Sequence, residues 1–513
     1  MSGATKRAAN LSKARRRPIL KHLPILLIAA AAGLVMLANL GNEYLWQDEA
    51  QTALVGKTVL AHGIPLATDG KNSFSQEQGK DSGPGHVWLW HPWFQFYLVA
   101  GSFALFGANT FAARLPFALL GMATIILTYY FALALFGSRR VAFVAALMLL
   151  LSVPFMLLAR QCRYYAPDAF FCLLGLYGYL GLLQRRRSGA VVLLVSATLV
   201  FHSHYVQSAA LLATVCLHSL IWRRDRLLTV VLVCAGVAVV NLPFIIWFSR
   251  MARAVSRPGN LLAWSFFVAR DLLGQMRASV FPPLMLAPAL LVVGVSWARQ
   301  KRFPRPERKA LEGVSLLVLF AAVTLAMVSP TAPGPFFRYL APMIPLSCLA
   351  MALIVESSIR INIAIGIAII AIYAYAGTMS QYLYEITHDY NGPIEGICRY
   401  LNAHARPTDT VVITYGDLPL KFYTKLRVLG GLTGEDLAPA AKAEWVIVRK
   451  HIICRRDYTV YKYLADHLNP NEYEPIVIDY PDIAFENREE PRLHYYRTAT
   501  DADPVTIFKR IKT

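Results

Sequence analysis

The stretch RLPFALLGMATIILTYYFALALF, residues Arg114–Phe136, decides the class of fold. Apart from its first residue it carries no charge. A helix needs about 20 apolar residues to cross the roughly 30 Å hydrocarbon core of a bilayer. The sequence therefore predicts that this stretch spans a membrane.

Ten further apolar runs are similar to this one. They are Leu23–Leu40, Val141–Leu158, Ala166–Leu183, Ala190–Phe201, Val206–Trp222, Leu227–Phe248, Pro283–Ala298, Ala310–Val328, Leu340–Val355 and Ile361–Met379. Hydrophobic residues make up 56% of the 513 residues and charged residues only 16%, whereas a soluble domain carries about 25% charged residues. The composition excludes a soluble, fibrous or disordered chain. It predicts a polytopic α-helical membrane protein with about 11 transmembrane helices.

One more apolar segment, Trp93–Phe106, is short and rich in aromatic residues. Basic loops stay in the cytoplasm, and all the basic clusters fall on one side of the membrane only if this segment lies along the interface. The segment is therefore predicted to be a juxtamembrane helix. The N-terminus then lies in the cytoplasm, and the C-terminal part lies on the periplasmic or extracellular side of the cell (inner) membrane.

The net charge of +20 is explained by this topology, because nearly all of the excess lies in the cytoplasmic clusters. A basic excess in cytoplasmic loops orients a membrane protein. Nucleic acid is therefore not predicted as a partner.

The chain divides into three parts. Residues 1–22 are a basic cytoplasmic N-terminus, residues 23–380 are a transmembrane domain whose first outer loop covers 41–112, and residues 381–513 are a polar domain outside the membrane.

The last part is predicted to be a small α/β domain. Strands are predicted at Thr410–Tyr415, Trp445–Val448 and Pro475–Asp479, and a helix at Ile394–His404. Cys398 and Cys454 also lie there, and an oxidising compartment would permit a disulfide between them. Sequence alone cannot supply the geometry of that bond, so the pairing stays open.

The outer loops carry the carboxylates and histidines, while the inner loops carry little beyond basic residues. Asp48 and Glu49 follow the first span. Because adjacent residues do not share a helix face, one of the two carboxylates is predicted to point into a site and the other away. The alternative is a solvated helix start with acidic residues at its N-terminus.

Other polar residues of the outer face also allow two interpretations. Asp168 begins a predicted span, where a carboxylate needs a partner or a function, and Arg163 is the predicted partner. Arg338 lies beside aromatic residues at the membrane edge, where it could bind a phosphate or simply reach outward to water. His202 and His204 could ligate a metal or cap a tight helical turn.

These residues also resemble a known family. The chain is similar to the GT-C class of integral-membrane glycosyltransferases, in particular the branch with dolichyl-phosphate-mannose–protein mannosyltransferases and the bacterial lipid A aminoarabinose transferase. The resemblance rests on Asp48-Glu49, His91-Pro92, Ala113-Arg114-Leu115-Pro116, Leu135-Phe136-Gly137, Arg163 to Asp168, and Arg338-Tyr339-Leu340 with Pro342 and Pro345. It is strongest over residues 40–185.

The resemblance implies a GT-C fold and a glycosyltransferase activity. A hexosyl or pentosyl group would pass from a polyprenyl-phosphate donor to an acceptor lipid, glycan or protein on the outer face, with inversion. Asp48 would be the general base that activates the acceptor. Glu49 would be a supporting carboxylate, and Asp168 a second acidic position that lines the site.

The resemblance also implies residues that bind the donor phosphate, namely Arg163, His91, Arg338 and Tyr339. His91 stands where the aminoarabinose branch has a lysine, and a histidine is only partly charged near neutral pH, which puts the aminoarabinose activity in doubt. Some relatives hold a metal near the site. The resemblance therefore implies no definite cofactor and leaves a divalent metal open, with His202 and His204 as candidate ligands.

Two other functions are alternatives. One is a transporter or flippase of a lipid-linked sugar, and the other is a non-catalytic scaffold for polysaccharide assembly. A transporter would need charged groups at mid-membrane along several spans, but the charges of this chain cluster at one face. The transferred sugar and the acceptor stay open.

Overall fold

A computed structural model describes residues 23–251, 259–300, 307–451, 458–486 and 488–511. The first part of the described chain is helical. Its helices are α1 (Leu23–Leu37), α2 (Gln47–His62), α3 (Phe94–Phe106), α4 (Thr110–Phe136), α5 (Arg139–Leu150), α6 (Val153–Ala159), α7 (Tyr165–Leu183), α8 (Arg187–Phe201), α9 (Tyr205–Trp222), α10 (Arg224–Met251), α11 (Leu261–Gln275), α12 (Leu286–Gln300), α13 (Arg308–Val328), α14 (Met343–Ile361), α15 (Ile363–Ala376) and α16 (Met379–Glu385). The basic segment 1–22 lies outside the described residues.

Six of these helices are long and apolar enough to cross a membrane, namely α4, α7, α9, α10, α13 and α14. Three bent pairs, α5–α6, α11–α12 and α15–α16, raise the number to nine if each pair is one span. The predicted spans at Leu23–Leu40 and Ala190–Phe201 coincide with the shorter apolar helices α1 and α8. The chain is therefore a multi-pass helical protein, and the count of about 11 spans stays a prediction, as does its orientation.

Two of the bends have a clear cause in the sequence. Helix α6 begins with Pro154 in its first turn, and α5 and α6 meet at 65°. Pro282 and Pro283 stand at the second bend, of 66°. Proline has no backbone N–H to donate and suits the first turn of a helix, so a new helix begins where the old one stops.

The apolar segment 93–106 forms the 13-residue helix α3, which packs against α2. The two helices approach closely at Gly56, where a Cβ atom would lie 2.6 Å from Cγ1 of Val99. Only glycine has no Cβ, so this position fixes how near α2 lies to α3. Helix α2 carries Asp48 and Glu49, so its placement decides the position of the candidate site.

The C-terminal part contains a five-stranded sheet. Its strands are β1 (Thr410–Ile413), β2 (Arg427–Gly430), β3 (Trp445–Ile447), β4 (Tyr473–Pro481) and β5 (Pro504–Arg510), and its helices are α17 (Pro393–His404), α18 (Asp417–Tyr423) and α19 (Tyr458–His467). The order is β2-β1-β3-β5-β4. β1 pairs in parallel with β2 and β3, while β5 is antiparallel to β3 and β4.

The sequence predicted β1, β3, β4 and α17 close to their observed positions, and it missed β2 and β5. Cys398 is buried in α17, and Cys454 lies outside the described residues, so the structure does not describe their pairing. The position of this sheet outside the membrane stays a prediction.

Helix α18 joins the sheet to the start of α2. Gln47 Nε2 donates to Asp417 Oδ1 at 2.8 Å, and the fully buried Lys421 Nζ lies 2.9 Å from Asp417 Oδ2. Lys421 also donates to the carbonyl oxygen of Ser73 at 2.7 Å. These contacts attach the C-terminal sheet to the helix that bears Asp48.

Candidate active site

Asp48 lies in the first turn of α2, with its carboxylate between two arginines. Its Oδ2 is 2.9 Å from Nη1 of Arg338 and 3.4 Å from Nη2 of Arg163. Its Oδ1 accepts a hydrogen bond from Gln76 Nε2 at 3.2 Å. The side chain keeps 16% exposure, so the carboxylate is enclosed but reachable.

The arginines decide the ionisation of Asp48. Burial raises the pKa of the carboxyl group, but Arg163 and Arg338 lower it, and the hydrogen bond from Gln76 adds to their effect. The net result is a pKa below the ordinary 3.8. Asp48 is therefore a carboxylate at neutral pH, as a general base must be.

Replacing Gln76 by leucine tests this electrostatic balance. The variant Gln76→Leu loses a hydrogen bond that favours the charged carboxylate, so we expect the pKa of Asp48 to rise. A base acts only when deprotonated, so the acidic limb of the rate-against-pH profile should move to higher pH. Unchanged limbs in a steady-state pH profile would show that Asp48 is not the titrating base.

Arg163 is buried beside Asp48 in the turn that precedes α7. Its Nη1 donates to the carbonyl oxygen of Asp48 at 3.2 Å and to Thr52 Oγ1 at 3.1 Å. The predicted pairing of Arg163 with Asp168 is wrong, because the guanidinium points to α2. Five residues of separation suggested that pairing, whereas the fold brings Arg163 to a carboxylate 115 residues away.

His91 contacts Arg163 through Nε2, which lies 3.3 Å from Arg163 Nη2. An arginine can only donate, so Nε2 accepts and the ring proton belongs on Nδ1. Burial lowers the pKa of His91 well below 6.5, and the charges of Arg163 and Arg338 lower it further. His91 is therefore a neutral ring that orients Arg163. It adds no positive charge to the two arginines of the site.

Arg338 connects two carboxylates. Its Nη1 donates to Asp48 and also to Glu489 Oε1, at 2.7 Å, and it lies 3.4 Å from the hydroxyl of Tyr165. The Tyr165 hydroxyl donates to the same Glu489 oxygen at 2.7 Å. Glu489 comes from the C-terminal part, so residues far apart in the chain meet at one guanidinium.

Glu49 points away from Asp48 and belongs to a separate ion pair. Its two oxygens lie 2.8 and 2.6 Å from Nε and Nη2 of Arg114, and Oε1 also accepts from the backbone N–H of Cys162 at 2.8 Å. The Glu49 side chain has no exposure. Both oxygens are occupied, so this carboxylate anchors α2 to α4 and to the turn before α7.

Asp168 lies near the start of α7 and is buried. It accepts a contact from Cys172 Sγ at 3.6 Å, and among the described residues it has no cationic partner. The structure does not bring it into the cluster of Asp48, Arg163 and Arg338. Its role as an acidic residue that lines the site stays a prediction.

The two predicted metal-ligand histidines make local contacts in the structure, and their role as metal ligands stays a prediction. His204 Nδ1 caps α9 by accepting from the backbone N–H of Gln207 at 3.2 Å, and burial lowers its pKa to about 4. Its ring lies 5.9 Å from that of Tyr339. His202 packs edge-on against Phe244 at 5.1 Å. The capping interpretation therefore describes His204.

The fold is similar to that of known membrane proteins. The apo structure of ArnT from Cupriavidus metallidurans superposes with a TM-score of 0.55, at 15% identity over 94% of this chain and 97% of that one. The ArnT structure bound to undecaprenyl phosphate gives 0.53 at 16% identity. An Archaeoglobus fulgidus oligosaccharyltransferase, in complex with Zn and sulfate, gives 0.52 at 13% identity over 88% of this chain and 71% of that one.

The chain has the GT-C fold. Residues 90–249 also match the family of dolichyl-phosphate-mannose-protein mannosyltransferases. An uncharacterized protein of Aquifex aeolicus is 36% identical over 93 residues, which are 18% of this chain and 19% of that protein. The chain thus matches only about a fifth of the length of that curated relative.

Within this GT-C fold, one group of the described residues could hold a metal ion, namely Glu43, Glu385 and His494. These side chains already pair with other groups. His494 Nε2 lies 2.5 Å from Glu385 Oε2, and Arg488 Nη1 lies 2.6 Å from Glu43 Oε2. Burial lowers the pKa of His494, but Glu385 raises it above the ordinary value. Glu43 Oε1 and His494 Nδ1 are buried and have no hydrogen-bond partner among the described residues, so a divalent metal at this group stays open.

The sequence did not identify Gln76, Tyr165 and Glu489 as contacts of the site. Tyr165 lies inside the quoted stretch 163–168, so its position pointed to the site. Gln76 and Glu489 lie in irregular polar segments with no motif or periodic pattern. Nothing in the sequence could have singled them out.

Proposed function

We propose that this protein is an inverting glycosyltransferase that uses a sugar linked to a polyprenyl phosphate. The acceptor is a lipid, a glycan or a protein at the outer face of the membrane. One observation carries the proposal: the Asp48 carboxylate lies between the buried Arg163 and the half-buried Arg338. This places a base next to a site for an anionic leaving group.

Proteins similar to this chain support a polyprenyl-phosphate donor. The ArnT structure bound to undecaprenyl phosphate has the same fold, and the matching family is that of dolichyl-phosphate-mannose-protein mannosyltransferases. Both lipids carry a phosphate on a long polyprenyl chain. Arg163 and Arg338 are the groups of this site that could bind such a phosphate, since guanidinium groups form charge-assisted bonds with phosphate oxygens.

The reaction follows from these positions. A hydroxyl or amine of the acceptor attacks the anomeric carbon from the face opposite the phosphate, and the new bond forms as the bond between carbon and phosphate oxygen breaks. The bonding electrons leave with the polyprenyl phosphate. The acceptor proton passes to Asp48, which must lie within hydrogen-bond reach of it. The attack from the opposite face inverts the anomeric centre.

The same arginines explain how Asp48 becomes a stronger base. Without donor, both cations stabilise the carboxylate and lower its pKa. A donor phosphate shares these cations and adds negative charge nearby, and both effects raise the pKa of a carboxyl group. Donor binding would thus raise the pKa of Asp48 and make it a better proton acceptor. At the same time the arginines would stabilise the negative charge that develops on the leaving phosphate.

Arg338→Ala should weaken use of the donor. We expect KM for the lipid-phosphate sugar to rise about 10- to 100-fold, because a hydrogen bond to a charged group contributes about 1.5–3 kcal/mol. Initial rates at varied donor concentration measure this. Arg399→Ala, at an exposed arginine that bonds Asn391 and Tyr480, is the control and should keep the wild-type KM. Equal donor kinetics in both variants would contradict the phosphate role.

The activity itself is tested with purified protein in lipid nanodiscs. Polyprenyl-phosphate sugars are offered with envelope lipids, glycans and proteins as acceptors, and products are identified by mass spectrometry. Cleavage of the sugar–phosphate bond with a glycosylated product supports the proposal. Movement of intact donor across a liposome membrane, without cleavage, would favour a transporter.

A further inference from the structure

We propose that the carboxylate of Glu489 occupies the place of the donor phosphate on Arg338 and sets the affinity for the lipid carrier. This inference rests on the proposed function, since it assumes that Arg338 binds the phosphate. In it, the phosphate displaces Glu489 when donor binds, and Glu489 returns when the carrier leaves.

The contacts of Glu489 are those that a phosphate oxygen would make. Its Oε1 accepts from Arg338 Nη1 and from the Tyr165 hydroxyl, both at 2.7 Å. A guanidinium and a phenol that converge on one anionic oxygen form a site for an oxyanion. The Glu489 side chain is only 6% exposed, so it fills this site instead of lying at its rim.

The charges require that one anion moves. Among the described ion pairs of this cluster, Arg163 and Arg338 bring two positive charges, and Asp48 and Glu489 bring two negative charges. A donor phosphodiester adds one more negative charge, which this enclosed site would not compensate. An uncompensated buried charge is costly, so one carboxylate must leave Arg338. Asp48 must stay, because it is the proposed base.

The neighbours of Glu489 allow its side chain to leave without moving the chain. Arg488 is held by Glu43, with Nη1 to Oε2 at 2.6 Å, and its carbonyl oxygen accepts from Gln161 Nε2 at 2.5 Å. These contacts hold the backbone immediately before Glu489, so a rotation of the Glu489 side chain can free Arg338.

The released carrier gives Glu489 a second effect. A phosphodiester donor becomes a phosphate monoester after transfer, so the product carries more negative charge than the donor. The product would bind the arginines strongly and leave slowly. A carboxylate that competes for Arg338 weakens this binding and so speeds release.

The test measures binding of undecaprenyl phosphate to the purified full chain in nanodiscs. Glu489→Gln keeps the size and the acceptor oxygen but removes the charge, and we expect Kd to fall about tenfold, because a charged competitor is lost. Binding of undecaprenol, which lacks the phosphate, should not change. Glu490→Gln, in the same segment, is the matched control and should keep the wild-type Kd.

A second variant makes the result independent of one substitution. Glu489→Asp keeps the charge but withdraws the carboxylate by one methylene group, so we expect a smaller gain in affinity. Melting temperatures without lipid identify any variant that does not fold. With the folded glutamine variant, stronger inhibition of transfer by added undecaprenyl phosphate is also expected.

The outcomes separate this inference from the proposed function. If Arg338→Ala weakens undecaprenyl phosphate binding but Glu489→Gln leaves it equal or weaker, Glu489 is not a competitor and only this inference fails. If Arg338→Ala also leaves binding unchanged, the phosphate site itself is wrong. A gain with both undecaprenyl phosphate and undecaprenol would show that the glutamine variant opens the lipid groove, and would overturn the competition.

Discussion

Asp48→Asn should reduce sugar transfer by a factor of about 10²–10⁴, the usual contribution of a general base. Asparagine has nearly the same shape as aspartate, so the contacts with Gln76 and the helix start can persist. It cannot accept a proton at neutral pH. We therefore expect kcat to fall while the protein still inserts, folds and binds the lipid carrier.

The experiment needs a carboxylate of the same loop as its control. Asp69 is exposed, and its carboxylate accepts hydrogen bonds from the backbone N–H groups of Lys71 and Asn72. These hydrogen bonds do not involve Arg163 or Arg338. Asp69→Asn should keep the wild-type kcat. Single-turnover rates with bound donor separate chemistry from binding. Wild-type turnover by the Asp48→Asn protein would remove Asp48 from the mechanism.

Arg114→Met should cause the largest loss of stability among single substitutions in this region. It leaves Glu49 buried without its cation, and breaking a buried ion pair in this way costs about 3–5 kcal/mol. It also removes the donors to the carbonyl oxygens of Leu40, Glu43 and Tyr44. The melting temperature in detergent should fall sharply.

Glu49→Gln distinguishes an anchoring role from a catalytic one. Glutamine keeps an oxygen for the N–H of Cys162 and for Arg114, so the fold should survive with a lower melting temperature. Transfer per folded molecule should stay near the wild-type rate. A folded Glu49→Gln protein without activity would instead show that Glu49 takes part in the chemistry.

The sequence revealed the membrane helices because the hydrophobic period and length are local properties. Helix α4 and the other long spans lie close to the predicted runs. The bent pairs were not foreseen, since a run such as 141–158 shows its length but not the 65° turn before Pro154. The sequence also does not fix the number of spans, because the shorter apolar helices are near the minimum length that crosses a membrane.

Part of the candidate site could also be predicted from the sequence, because the direction of neighbouring side chains on a helix is a local property. The rule that neighbouring residues face different sides of a helix separated Asp48 from Glu49, and the structure places them on different arginines. It could not say which carboxylate met which arginine, because Asp48 and Arg338 are 290 residues apart. Because Arg163 and Asp168 are close in the chain, the sequence suggested an ion pair between them. In the structure, tertiary packing places Arg163 beside Asp48 instead.

Glu489 could not be found in advance. It has no motif around it, and the contacts of the neighbouring Arg488 with Gln161 and Glu43 help to hold the segment that brings Glu489 to Arg338. Its contribution depends on how the C-terminal sheet lies on α2. Such a contact depends on the tertiary packing of the whole fold, so it cannot be predicted from the local sequence.

The meeting of positions 48, 165 and 489 around Arg338 has a consequence for biosynthesis. A ribosome adds these residues one after another, so the candidate membrane spans are synthesised before Glu489. In the proposed competition, Arg338 of a nascent chain would lack Glu489 and would hold the carrier lipid more tightly than Arg338 of the finished protein does.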